Sequence, residues 1–195
     1  LAISSSGGTG TKTFSLTGTL QAGLSLNTST GTISGTPTEV SDKAVTVTVT
    51  DQASATATTT SFTISIGRAS QSITFGALSN KTMGTGTFTV SATASSSLTV
   101  AFTSATTGVC TVSSTTVTLV SAGTCTINAD QAGNSYYSAA TQVQQSFTVA
   151  AALTITTPNS GLSGTYNSSY SLAISSSGGT GTKTFSLTGT LQAGL

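Results

Sequence analysis

Histidine and tryptophan do not occur in this 195-residue sequence, and only 5% of its residues are charged. Without histidine, proton transfer near neutral pH would fall to four widely spaced carboxylates, Glu39, Asp42, Asp51 and Asp130. No Gly-x-Ser-x-Gly elbow occurs either, so the chain offers no catalytic residue and reads as a non-enzyme. The five cations, Lys12, Lys43, Arg68, Lys81 and Lys183, stand singly, and the net charge is +1. Nucleic-acid binding draws on clustered Lys and Arg that displace counterions, so nucleic acid is not an expected partner. No apolar run approaches the roughly 20 residues that span a bilayer, and no signal-peptide pattern opens the sequence. Because it starts at Leu1, it reads as a window cut from something longer, with any export signal outside it.

Helix formers such as Glu, Lys, Arg and Met are scarce, whereas Ser and Thr make up roughly two-fifths of the chain. Thr, Val, Ile and Phe favour strands, because branched and aromatic side chains pack well on a pleated, half-buried surface. A Ser/Gly-rich chain can fail to offset its conformational entropy and stay disordered. Here 36% of the residues are hydrophobic and they recur with period two. Leu98, Val100 and Phe102 alternate with Thr99, Ala101 and Thr103; Val45, Val47 and Val49 repeat the pattern, as do Phe62, Ile64 and Ile66. Turn signals at Ser113-Ser114, Ser121-Ala122-Gly123 and Gly35-Thr36-Pro37 predict antiparallel hairpins between such runs. The fold class is all-β.

The two cysteines, Cys110 and Cys125, fit one disulfide in an oxidising compartment, or else two small buried hydrophobes. Cys110 shares its alternation phase with Val112, and Cys125 with Ile127, so both thiols are expected to point inward.

Residues 1–24, LAISSSGGTGTKTFSLTGTLQAGL, recur letter for letter at 172–195, an offset of 171. Identity over that length points to recent duplication, so the chain covers one period and the start of the next. Strand-like SFTISI ends at Ile66 and QSFTVA ends at Ala150, each followed by a short link and a new first strand. Cutting there predicts residues 1–66 as the later part of a domain lacking its first strands, 67–150 as a complete domain, and 151–195 as the opening strands of the next. Units of this size fit small β-sandwiches, and the incomplete first unit would expose unpaired strand edges.

The stretch LQAGLSLNTSTGTISGTPTEV, followed by AVTVTVTDQASATATTTSFTISI, resembles the immunoglobulin-like repeats of large bacterial surface proteins. Their pattern is matched by Ala22-Gly23-Leu24, Gly31, Ile33, Gly35-Thr36-Pro37, Val47-Thr48-Val49 and Asp51; Gln21 stands where that family usually has proline. The middle unit, with VCTVSSTTVTLVSAGTCTI, is similar to bacterial invasin-like repeats. The resemblance implies tandem immunoglobulin-like antiparallel sandwiches of an adhesin or extracellular fibre. It implies a cell-surface location and neighbouring copies of the same repeat as partners, joined covalently or by head-to-tail strand addition. A ligand-binding adhesin module for glycan or host protein is the alternative.

Other motifs carry less. In GGTGTK, at 7–12 and 178–183, Thr separates Gly from Lys and a strand follows, so a turn is expected rather than a phosphate loop. No metal or cofactor is expected; Asp51 and Asp130 read as turn or strand-end residues. Lys43 and Lys81 read as solvated surface rather than as isopeptide partners. Of Tyr136 and Tyr137, at least one is expected to anchor its loop. The sequons at Asn27, Asn80 and Asn167 are expected from chance in so Thr/Ser-rich a chain.

Overall fold

The computed structural model describes residues 1–155 and 163–189; the last six letters of the repeat and the centre of the 152–171 segment lie outside them. No helix occurs among the described residues, and the strands form antiparallel sheets with one parallel pair. The chain divides into two compact units, Leu1–Gln71 with Ala132–Ala140, and Ser72–Gln131 with Thr141–Leu195.

In the first unit, β1 (Thr13–Thr17) pairs with the long β4 (Asp42–Thr50), setting Phe14 opposite Val49 and Leu16 opposite Val47. On its other side β4 holds β5 (Thr56–Thr58) and β6 (Phe62–Ser65). The register slips between them: Thr48 faces Thr58, but Val45 faces Phe62, where an unbroken ladder would place Ser61. One extra residue is therefore inserted, a bulge that lets Ala57 and Phe62, five positions apart, both lie opposite inward-phase residues of β4. The second sheet is the hairpin of β2 (Leu24–Asn27) and β3 (Thr32–Gly35). Residues 1–3 join it, with Ala2 bridged to Thr32 and the Ile33 amide donating to the Leu1 carbonyl at 2.8 Å. Alternation puts Val45 and Val47 inside, together with Phe14 and Ile33. That is a thin core, and these four are the only buried hydrophobic side chains of the unit among the described residues.

The second unit opens with β7 (Ile73–Phe75) and β8 (Lys81–Thr82), followed by β9 (Phe88–Thr89) and β10 (Ala92–Ala94). β7 pairs with β10, whereas β8 lies parallel against β15 (Val143–Ala150) in the other sheet. One opening run thus serves both layers. β11 (Ala101–Ser104), β14 (Gly123–Asp130), β15 and β8 form the first sheet. β12 (Cys110–Ser113), β13 (Thr116–Leu119) and β9 form the second.

A two-residue hairpin joins β12 to β13, and Ser114 takes the positive φ, 55°, that such a turn demands. The hairpin expected at Ser121-Ala122-Gly123 is not there: that turn carries the chain across to the opposite sheet, where β14 pairs with β11 and β15. Rings tie the layers together, Phe75 against Phe102 at 5.4 Å and Phe88 edge-on to Phe147 at 5.5 Å. The third part, β16 (Thr154–Ile155) with β17 (Ser176–Ser177), is a short antiparallel pair at the start of the second repeat copy.

Candidate functional site

Cys110 and Cys125 are bonded, with Cα atoms 5.7 Å apart, and both are fully buried. Their strands, β12 and β14, lie in different sheets, so the bond is a covalent tie across the sandwich. The thiols are spent in that tie.

The glycine-rich loop of residues 7–12 meets a carboxylate of its own chain. Asp51 follows β4 directly; its Oδ2 accepts from the Thr9 amide at 2.7 Å and its Oδ1 from the Ala55 amide at 2.8 Å. Those two bonds, with the nearby Lys12 charge a lesser cause, hold its carboxyl below the usual aspartate range. The loop amide that an incoming anion would seek is already satisfied. Asp130, the other candidate, is the last residue of β14 and accepts from Gln142 Nε2 at 2.8 Å. No three Cys, Asp or Glu gather together among the described residues.

Gln21 has a role that sequence reasoning missed. Its side chain is buried, 1% exposed, and its Nε2 donates to the Ser41 carbonyl at 2.9 Å and the Ile64 carbonyl at 2.7 Å. It thereby fastens the approach to β4 to the final strand β6. Beside it, Glu39 accepts from the Ala22 amide at 3.3 Å and from the Ser41 hydroxyl at 2.9 Å, and pairs with Lys43 at 3.1 Å. Lys43, Ser41 and the Ala22 amide, in that order, lower its pKa. Lys81 sits over the Phe88 ring, 4.8 Å from its centre.

The loop bearing Tyr136 and Tyr137 is pinned through Asn134, whose Oδ1 accepts from both tyrosine amides at 2.8 and 2.9 Å. Ala69 bonds to the same loop, donating to Tyr136 and accepting from Ser138. The Tyr136 ring remains 53% exposed, whereas Tyr137 is half-buried. Asn27 has a turn function: its Oδ1 accepts from the Ser29 and Thr30 amides between β2 and β3. Asn80 similarly accepts from the Thr148 amide at 2.8 Å.

Grooves of about 460 and 400 Å³ lie in the second unit, along residues 90–102 and 80–88, and two further hollows lie in the first. A groove of about 270 Å³ runs between residues 3–6 and the end of β5, floored by Phe14, Val47 and Val49. A smaller recess of about 130 Å³ continues it past Ser6, Gly8 and Asp51. Among the described residues no strand pairs with the outer edge of β5 and β6. The two copies of the repeat also differ in surroundings. Phe14 is 7% exposed, but its counterpart Phe185 is 55% exposed. Leu187, the counterpart of half-buried Leu16, is likewise exposed.

Two sheets tied across a buried core by inward-alternating strands define an immunoglobulin-like β-sandwich module. Residues 2–67 match the family described as "Putative Ig domain". No curated protein matches the chain. Among solved structures, two crystal structures of human protocadherin-24 EC1-2 align at 15% and 14% identity, covering 72% of this chain and 82% of theirs, each with a TM-score of 0.37. No helix among the described residues is long and apolar enough to cross a membrane.

Proposed function

We propose that the chain is one period of a tandem array of immunoglobulin-like beads, forming the stalk or filament of a very long, secreted bacterial surface protein. The observation that carries this reading is the 24-letter repeat with its contrast in burial. Phe14 and Leu16 pack beneath residues 25–66, while Phe185 and Leu187 carry the same letters with that cover missing. The simplest completion is that residues 172–195 are the first 24 residues of a further copy. Each bead then contacts mainly its neighbours, and length grows by duplication.

Covalent continuation is favoured over separate subunits, because only subunits must account for 24 redundant residues. The bond between Cys110 and Cys125 fits an oxidising, extracellular setting. The sparse charge and Ser/Thr coat suit an inert, water-facing stalk rather than an enzyme. Denaturing electrophoresis of the native material is the test. Polypeptide far larger than 19.0 kDa supports the array, and a band at that mass overturns it in favour of subunits.

A second reading, a ligand-binding adhesin module, draws on the exposed Tyr136 ring held on its pinned loop. Glycan-array binding that is lost in Tyr136→Ala would favour it; an inert array favours the stalk.

A further inference from the structure

We propose that the groove of the first unit is the seat of a strand from a second copy of this repeat, residues 151–155, entering with Ile155 opposite Ser5 and Thr154 opposite Ser6. The inference rests on the tandem reading and names the contact that joins one copy to the next.

The register comes from the chain's own second copy. There, Thr154 pairs with Ser177 and Ile155 with Ser176, the Thr154 and Ser177 hydroxyls lie 2.8 Å apart, and the Gly179 amide donates to the Ala151 carbonyl at 2.8 Å. Subtracting the repeat offset turns Ser176, Ser177, Gly178 and Gly179 into Ser5, Ser6, Gly7 and Gly8. A side chain added at Gly178 would run into the Ala152 carbonyl oxygen, and one at Gly179 would meet Leu153 at 3.3 Å. At Gly7 nothing lies within 4 Å, while a side chain at Gly8 would meet the Asp51 carboxylate at 3.1 Å. Ser176, Gly178 and Gly179 are half-buried, but Ser5, Gly7 and Gly8 are exposed. The same letters therefore lie under a strand in one copy and under none in the other, where only the Asp51 side chain reaches Gly8.

Three features match the groove to that strand. Its floor is apolar, formed by Ile3, Phe14, Val47, Val49 and Ala57, and the strand offers Leu153 and Ile155 on alternate positions. Both side chains are exposed here, 58% and 69%, with no core of their own. The second unit shows what an opening strand does in this architecture: β7 pairs within one sheet and β8 lies along β15, the last strand of the other. The corresponding last strand of the first unit, β5 with β6, has a bare outer edge. The source of the strand follows from the repeat, since residues 151–171 stand immediately before LAISSSGG wherever that sequence continues an earlier copy.

The test is a full chain carrying a second copy of residues 151–171 directly before Leu1, compared with the chain itself and with a scrambled extension of equal composition. Amide exchange at residues 5–8 and 56–59 is expected to slow about tenfold or more in the native-sequence extension alone. A cysteine at the Ile155 position of the added segment is expected to crosslink to Ser5→Cys and not to Ser65→Cys, which lies opposite Asp42 at the other end of β4 from Val49. Unchanged exchange at those amides, or crosslinking at Ser65→Cys in preference to Ser5→Cys, overturns the seat. Either result would leave the size of the native polypeptide, and so the array reading, standing on its own measurement.

Discussion

Replacing Gln21 with alanine removes two hydrogen bonds from a buried site, one to the Ser41 carbonyl and one to the Ile64 carbonyl. A loss of about 1–3 kcal/mol is expected, read as a lower urea midpoint of the first unit with an unchanged slope. From sequence, Gln21 was only a departure from the family's proline, because its partners stand 20 and 43 residues away and nothing local announces them. Asp51 was more legible, as a residue closing a strand, although its grip on the Thr9 amide was not. Asp51 and Glu39 both titrate below the ordinary 3.8 and 4.5 of their residue types. A carboxylate with a lowered folded-state pKa stabilises in full above its unfolded value and ceases to as pH falls through the folded one. The melting temperature of the first unit is therefore expected to hold from neutrality down to the ordinary carboxylate range and to drop below it. Asp51→Asn is expected to flatten that acid limb, which a thermal series in stepped buffers would show.

At the scale of the element, period-two alternation was enough to place Val45, Val47 and Val100 inside, since a strand buries every second side chain. Alternation says which face is buried but not which strand lies alongside. That is why the crossing of β14 to the opposite sheet, the parallel seat of β8 and the bulge between β5 and β6 had no local signal. The hairpin at Ser114 did have one, and its positive φ makes it testable. Ser114→Val puts a branched side chain in a left-handed conformation and should cost about 1–2 kcal/mol in the second unit. Reducing the bond between Cys110 and Cys125 frees a 15-residue separation in the unfolded chain. It should lower the stability of the same unit by about 3 kcal/mol, with the transition of the first unit unmoved in differential scanning calorimetry.

For the molecule as a whole, the repeat was the most readable feature, since identity at an offset of 171 needs no structure to be seen. What identity left out was that equal letters have unequal neighbours: Phe14 and Phe185 share a sequence context but not a core. A chain extended through a complete third unit, with residues 25–66 appended after 195, is expected to bury Phe185 and Leu187. Their amide protection should then approach that of Phe14 and Leu16, and protection that stays low would count against the tandem reading. The tie between β12 and β14 has a further consequence for a thread pulled from its ends. When its bead gives way, the stretch between the two sulfurs stays out of the line of tension. Each oxidised bead then pays out about 50 Å less contour length than a reduced one, so the fibre lengthens in shorter steps before it goes taut again.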